Sequence, residues 1–230
     1  MNKQTVLASP LYPIICKANN LFRLKTKKKN GGRYKIAKDA LFRKSRIVVS
    51  GNGSEVKIGN KCRFRNLTIE VYGKNNTIEI MDSVLVYEKC YISIKGDNCH
   101  CVIGKKTTIG SASLFLEENE TDITIGEDCM LGRNICLQTT DFHHNQIRQK
   151  EDSDASTGKR INYPESVEVG NHVWLGYGVT MGKGSSVADN SVVGEHSLVT
   201  KKHLQPNICL VGIPAKIIKE NINWNREKLT

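Results

Sequence analysis

The sequence predicts an all-β solenoid, a chain wound into stacked coils, and three observations lead there. Val169, Leu175, Met181, Val187, Val193 and Val199 recur at every sixth residue without a break. Glycine directly follows four of them, at Gly170, Gly176, Gly182 and Gly194. Small or β-branched residues stand four places after the first five, at Val173, Val179, Ser185, Ser191 and Ser197. A spacing of six is neither a helical period nor the two-residue period of a simple strand. It fits a chain that runs a short strand, turns and repeats, with the aliphatic residue pointing inward at the same place each time. The residue four places on is small because it must fit near a corner, and glycine in the turn accepts backbone angles that other residues resist. One coil cannot bury its own face, so stacked neighbours build the core. A β-sandwich with regular turns would not hold so strict a spacing.

The pattern returns upstream with interruptions. Ile103-Gly104 leads to Thr107, Ile109-Gly110 to Ser113, Ile125-Gly126 to Cys129, and Leu131-Gly132 to Ile135, with Leu137 in step. Ile58-Gly59 leads to Cys62, and Phe64 stands six after Ile58. Between Leu67 and Ile94 the period loosens into plain alternation, which reads as earlier, less regular coils. Three regions follow: a basic N-terminal segment (1–47), the solenoid (48–212) with an extruded loop (138–168), and a C-terminal helix or tail (213–230).

Composition narrows the classes. The chain has 230 residues, 39% of them apolar, enough for a real core. No run of about 18 apolar residues occurs, so no membrane span is expected. Leu11 to Cys16 is too short, and Pro13 interrupts it, so no signal peptide is read and a cytoplasmic location is expected. None of the eight cysteines forms a CxxC pair, and several fall on apolar positions of the repeat, which favours reduced core cysteines. Cys99 and Cys101 share one face of a strand while His100 points to the other, so no metal is expected there. The formal net charge is +11, concentrated between Lys25 and Lys35 and continued by Arg43, Lys44 and Arg46. Such a run suits nucleic acid, an anionic membrane surface or an acidic polymer, or is a solvated basic segment. Only Phe22, Tyr34 and Phe42 interleave it, too few to stack bases, so no nucleic-acid partner is expected.

The repeat stops after Leu137 and resumes at Val169. A polar insertion this long inside a compact repeat points to function. It carries His143 and His144 near its start. An imidazole with a pKa near ~6.5 can take the proton from a hydroxyl as it attacks an acyl group, for roughly 10²- to 10⁴-fold in rate. Adjacent residues of an extended chain point opposite ways, so one of the two histidines faces the cleft. Asp141 either orients the imidazole or caps a turn. His172 reads as a turn residue of the repeat.

The motifs Thr140-Asp141-Phe142-His143, Arg160-Ile161-Asn162 and Val169-Gly170-Asn171-His172-Val173-Trp174-Leu175-Gly176 resemble those of the hexapeptide-repeat acyltransferases. The match is most like the bacterial capsule and lipopolysaccharide O-acetyltransferases, including those of polysialic acid. The resemblance is strong from about Ile125 to Trp224 and weak upstream. It implies a left-handed parallel β-helix, an exception to the usual right-handed crossover, and a homotrimer with the active site between two subunits. It implies that His143 is the catalytic base and that Trp174, in the turn of the first coil after the loop, lines the acceptor and acetyl-CoA site together with Gly176 and Tyr177. A backbone amide near Gly176 would donate to the thioester oxygen. Gly212-Ile213-Pro214-Ala215-Lys216-Ile217-Ile218-Lys219 matches the family's Gly-x-Pro-Ala-Lys turn before a short helix, Lys201, Lys216 and Lys219 match positions that are basic in the family, and Thr200 matches a family threonine; the resemblance thus implies that Thr200, Lys201, Pro214, Ala215, Lys216 and Lys219 lie along coenzyme A. The asparagine that related sugar acetyltransferases carry in an earlier coil is missing, since that stretch reads Ser111-Ala-Ser-Leu-Phe.

The expected activity is therefore acetyl transfer from acetyl-CoA to a hydroxyl of a bacterial surface glycan, an acidic polymer included, by direct His-assisted attack. No cysteine stands where a covalent acetyl intermediate would form. The alternatives are an acetyltransferase for a small sugar, nucleotide-sugar or antibiotic, and a non-catalytic basic binding module.

Overall fold

Every aliphatic residue of the six-residue period from Val169 to Val199 lies in one continuous core, at most 1% exposed. The computed structural model describes residues 11–141, 145–149 and 158–227. One helix, α1 (Tyr12–Arg23), precedes the coils. The early coils comprise β1 (Leu24–Lys29), β2 (Arg33–Ile36), β3 (Leu41–Phe42), β4 (Ser45–Ser50), β5 (Glu55–Ile58), β6 (Arg63–Phe64), β7 (Leu67–Val71) and β8 (Thr77–Ile80). The middle coils comprise β9 (Leu85–Ile94), β10 (His100–Ile103), β11 (Thr108–Leu116), β12 (Asp122–Ile125), β13 (Met130–Leu131) and β14 (Ile135–Gln138). The late coils comprise β15 (Val167–Val169), β16 (Trp174–Leu175), β17 (Thr180–Met181), β18 (Ser186–Val187), β19 (Val192–Val193), β20 (Leu198–Val199), β21 (Lys202–His203) and β22 (Cys209–Gly212), with β23 (Ala215–Lys219) last.

These strands stack into three faces. Face 1 runs β3, β6, the start of β9, the start of β11, β13, β16, β19 and β22. Face 2 runs β1, β4, β7, the rest of β9 and β11, β14, β17 and β20. Face 3 runs β2, β5, β8, β10, β12, β15, β18 and β21. All these pairings are parallel, as coils of one hand require. The long strands β9 and β11 bend from face 1 to face 2 without a break, which joins those faces into one sheet.

Non-glycine residues take positive φ at the same corner on successive coils, among them Lys61, Ser83, Lys106, Asp128, His172, Asn190 and Asn207. His172, with φ 51°, is thus the turn residue its place in the repeat indicated. Cys99 and Cys101 are buried and His100 is exposed, which is the alternation expected of a strand.

The structure departs from expectation in four places. Stacking begins at Leu24, since β1 already pairs with β4, so residue 48 lies within a coil and not at the start of the solenoid. In β11 a register shift between Ile109 and Ser111 turns Ala112 inward in place of Ser113. The expected C-terminal helix is absent from the described residues. Residues 215–219 instead form β23, antiparallel to β22. The last coil leaves a sheet edge open, and β-branched Ile217 and Ile218 suit the strand that closes it. Trp174 stands on a strand and points outward rather than sitting in a turn. At the other end α1 covers the first coil: Asn19 Nδ2 donates to the Phe42 carbonyl and Asn20 Nδ2 to that of Ala40 (both 2.8 Å).

Candidate active site

A groove of about 750 Å³ opens along face 1 where it turns toward face 2. Trp174, Gly176 and Tyr177 line it, together with Met130, Arg133 and Arg226. Trp174 is stacked between Met130 and Val192 on the neighbouring rungs and keeps 39% of its surface exposed. A large aromatic ring left open beside a groove is a surface waiting to be covered.

The tail braces this wall. After β23 the chain turns back along the corner between face 3 and face 1, with the Ile222 amide donating to the Asn207 carbonyl. The buried Trp224 ring stacks on His172 at 4.1 Å and 9° and lies 6.1 Å from Trp174. Trp224 Nε1 donates to the His172 carbonyl at 2.8 Å, and His172 Nδ1 lies 2.8 Å from Asp128 Oδ2. Arg226 then bonds Asp128 Oδ1, Thr108 Oγ1 and the Cys129 carbonyl. Tyr177 is fixed by Asn134 Nδ2, which donates to its hydroxyl at 2.8 Å, and by the edge of His196. The Gly176 amide donates to the Val193 carbonyl at 2.8 Å, so it is taken by the sheet and is not available to a thioester oxygen.

A second cluster occupies the corner between face 2 and face 3. Asp141 Oδ2 lies 2.7 Å from Lys183 Nζ. Met181 pairs with Val199, so Lys183 and Lys201 lie at the same corner on successive coils, but the later corner is two residues shorter and sets Lys201, with Thr200 just before it, level with Ser185. His143, the expected base, and its rival His144 lie outside the described residues.

The loop is anchored by Arg160-Ile161-Asn162. Arg160 donates through Nη1 and Nη2 to the two carboxylate oxygens of Glu118 at 2.7 and 2.8 Å, and through Nη2 to the Asn162 carbonyl at 2.9 Å. That carboxylate holds the guanidinium pKa above its ordinary value. Asn162 Oδ1 accepts from the Ile147 amide, and its Nδ2 donates to the Asn145 carbonyl, each at 2.8 Å. The Ile161 amide donates to Ile147 O and the Gln149 amide to Lys159 O, a short antiparallel ladder. The Glu165 amide closes the base on the Thr139 carbonyl at 3.0 Å.

The third group sits on the C-terminal hairpin. Ala215 is buried, while Lys216 and Lys219 are exposed on β23, opposite Val211 and Cys209. Pro214 follows Ile213 in the turn between β22 and β23. Among the described residues no three His, Cys, Asp or Glu side chains gather as a metal-binding group, and no helix is long and apolar enough to cross a membrane.

Within one chain the structure therefore unites Trp174, Gly176 and Tyr177 but sets Asp141, Thr200 and Lys201 across the width of face 2. Sequence reasoning gave no role to Arg133, Lys183, Trp224 or Arg226. Lys183 lies at the same corner as Lys201, one coil earlier, after Met181, the partner of Val199. Trp224 and Arg226 lie in an aperiodic tail and carry no such signal.

No protein-family model matches the chain. It is 38% identical over 192 residues to a polysialic acid O-acetyltransferase of Neisseria meningitidis, covering 84% of this chain and 85% of that protein. It is 42% identical over 139 residues to a polysialic acid O-acetyltransferase of Escherichia coli O1:K1, covering 58% of this chain and 42% of that protein. Among solved structures it resembles the polysialic acid O-acetyltransferase OatWY at 33% identity and a TM-score of 0.74, covering 89% of this chain and 92% of the other. It resembles the polySia-specific acetyltransferase NeuO at 27% identity and a TM-score of 0.72, covering 91% and 92%. The fold shared with them is the left-handed parallel β-helix that the motifs imply.

Proposed function

Because the chain belongs to the family of the polysialic acid O-acetyltransferases, we propose that it moves acetyl from acetyl-CoA to a hydroxyl of an acidic, sialic-acid-containing surface glycan, acting in the cytoplasm. The observation that carries this reading is the 38% identity spread over 84% of the chain. The groove beside Trp174 and the anchored loop support it.

In the reaction the acceptor hydroxyl oxygen attacks the thioester carbonyl while His143 takes its proton. The tetrahedral intermediate collapses, the carbon–sulfur bond breaks, and the proton passes from His143 to the departing thiolate. Trp174 walls the acetyl group, and a backbone amide near Gly176, whose own N–H is taken by Val193, donates to the developing oxyanion. Asp141, held by Lys183, positions the segment that carries His143. Thr200, Lys201, Lys216 and Lys219, with the Pro214-Ala215 turn, line the path of coenzyme A, where lysines serve its phosphates as point charges.

The working unit is a homotrimer. Face 2 lies between the two clusters, and its outward positions on the lower coils are uncharged: Ser113, Phe115, Cys136, Gln138, Thr180 and Leu198, all half-buried in the single chain. A face of this kind suits contact with further copies, which would bring the loop of one subunit to the Trp174 groove of the next.

Release of free thiol from acetyl-CoA, with a panel of acidic polysaccharides and with monosaccharides, tests the activity. His143→Ala should lower kcat by about 10²- to 10⁴-fold. Thiol release with monosaccharides alone would sink the polymer reading, and undiminished release in the mutant would transfer the role to His144. Co-expression of His143→Ala with Trp174→Ala tests the shared site. Random mixing leaves about a quarter of the interfaces with both groups intact, so about a quarter of the activity should return. A site held within one chain would recover none.

A further inference from the structure

On face 1 one outward position, the residue just after the inward aliphatic or aromatic one, changes character along the stack. The pairings Phe42 with Phe64, Phe64 with Val86, Val86 with Ile109, Ile109 with Leu131, Leu131 with Leu175 and Leu175 with Val193 put the following residues on successive rungs. Those residues are Arg43, Arg65, Tyr87, Gly110, Gly132, Gly176 and Gly194. Rungs lie ~4.8 Å apart. The lower four carry no side chain; a Cβ at Gly110 would stand 2.6 Å from the Gly132 carbonyl oxygen. They leave the bare floor of the Trp174 groove. The upper rungs carry cations.

There a second groove, of about 470 Å³, is bordered by Asn19, Arg23, Arg43, Arg63, Arg65 and Tyr87. No carboxylate lines it, and among the described residues Arg23, Arg43 and Arg65 make no ion pair. Tyr87, 57% exposed, borders both grooves and makes them one track. These three guanidinium groups, with Arg63 beside them, form a cationic cluster suited to carboxylates, which they can grip through paired N–H donors. The exposed Tyr87 ring between arginine rungs and bare floor offers an apolar plate for a sugar ring.

The geometry points to an extended acceptor subsite: Arg43, Arg65 and their neighbours hold the acidic sugars of a glycan chain whose reacting unit lies about four rungs away at Trp174, roughly 19 Å along the axis. This rests on the proposed acetyl transfer and adds a condition to it, namely that the acceptor is read as a chain and not as a single sugar.

The consequence is dependence on acceptor length. Arg43 and Arg65 are exposed and outside the transfer machinery, so Arg43→Ser/Arg65→Ser should fold normally. With polysialic acid as acceptor its KM should rise about tenfold with kcat unchanged. With a sialic acid monomer or dimer neither constant should move. Binding of polysialic acid without acetyl-CoA should weaken by a similar factor, with a shallower dependence on salt, and Arg43→Lys/Arg65→Lys should recover part of it. Wild-type-like binding and salt dependence in the serine variant would overturn the subsite, as would an equal KM rise for monomer and polymer. A wild type that binds the polymer through these arginines but acetylates nothing would instead sink the proposed activity and leave the subsite standing.

Discussion

Arg160→Met should release the loop and leave the solenoid intact. Arg160 meets both carboxylate oxygens of Glu118 and the Asn162 carbonyl, with side-chain exposures of 16% for Arg160 and 21% for Glu118. Removing one partner of a buried ion pair costs about 3–5 kcal/mol, much of it from the stranded charge. Partial exposure lets water reach Glu118, so the lower end, about 3 kcal/mol, applies. At about 1.4 kcal/mol per decade that is roughly a hundredfold more opening of the ladder between residues 145–149 and 158–162. Hydrogen exchange reads it directly. The Ile161 amide, bonded to Ile147 O, and the Gln149 amide, bonded to Lys159 O, should each lose about two decades of protection. The Gly176 amide, inside the stack, should keep its own. Glu118→Gln should do less, because its amide still accepts one of the bonds, and the double variant should cost less than the sum. Unchanged exchange at Ile161 in Arg160→Met would refute the anchoring role. Equal loss at Gly176 would mean that the pair supports the coils rather than the loop.

Three more outcomes follow from the core. Leu175→Ala empties a fully buried position between Leu131 and Val193 and should cost about 2–5 kcal/mol; a lower urea midpoint with unchanged slope checks it. His203 occupies the place that Val187 fills one coil earlier, and burial, then Lys201, lowers its pKa below the ordinary 6.5. The unfolded chain therefore binds this proton first, so stability should hold above pH 6.5 and fall as the pH drops from there toward the lowered value. His203→Val should flatten thermal unfolding between pH 7.5 and 5.5, and an undiminished slope would acquit this histidine. Burial pushes the Cys90 thiol up to about 12 and those of Cys62 and Cys129 up to about 11. A thiol reagent should reach these three only in denaturant; rapid labelling of the native protein would contradict their place in the core.

The period of six was enough to place the core, because an inward position is constrained by every coil above and below it. It failed where the backbone rather than the side-chain pattern decides. At Ile109 the strand runs through the corner with one residue fewer, and no side chain announces that Ala112 will turn inward instead of Ser113. At the C-terminus the Gly-x-Pro-Ala-Lys motif implies a turn before a short helix, yet the open sheet edge of the last coil outweighs that expectation and takes Ala215–Lys219 as a strand. The Arg160–Glu118 pair joins residues 42 apart across the loop base, a contact that no local pattern encodes.

The outward positions tell a different story, because the repeat leaves them free. Free does not mean unordered: once the inward residues are in register, each outward residue has a fixed rung and face. Lys183 and Lys201 fall at one corner of successive coils, after the paired Met181 and Val199. Arg43, Arg65, Tyr87 and the four glycines become one line by counting one from the inward residues of face 1. The basic run that seemed a property of the N-terminal segment alone therefore divides. Lys25, Lys27 and Lys29 stand on β1 at the edge of face 2, while Arg43 stands at the head of the track that leads to Trp174. Net charge alone cannot separate these two groups; the register does, and it turns a composition of +11 into an address on one face.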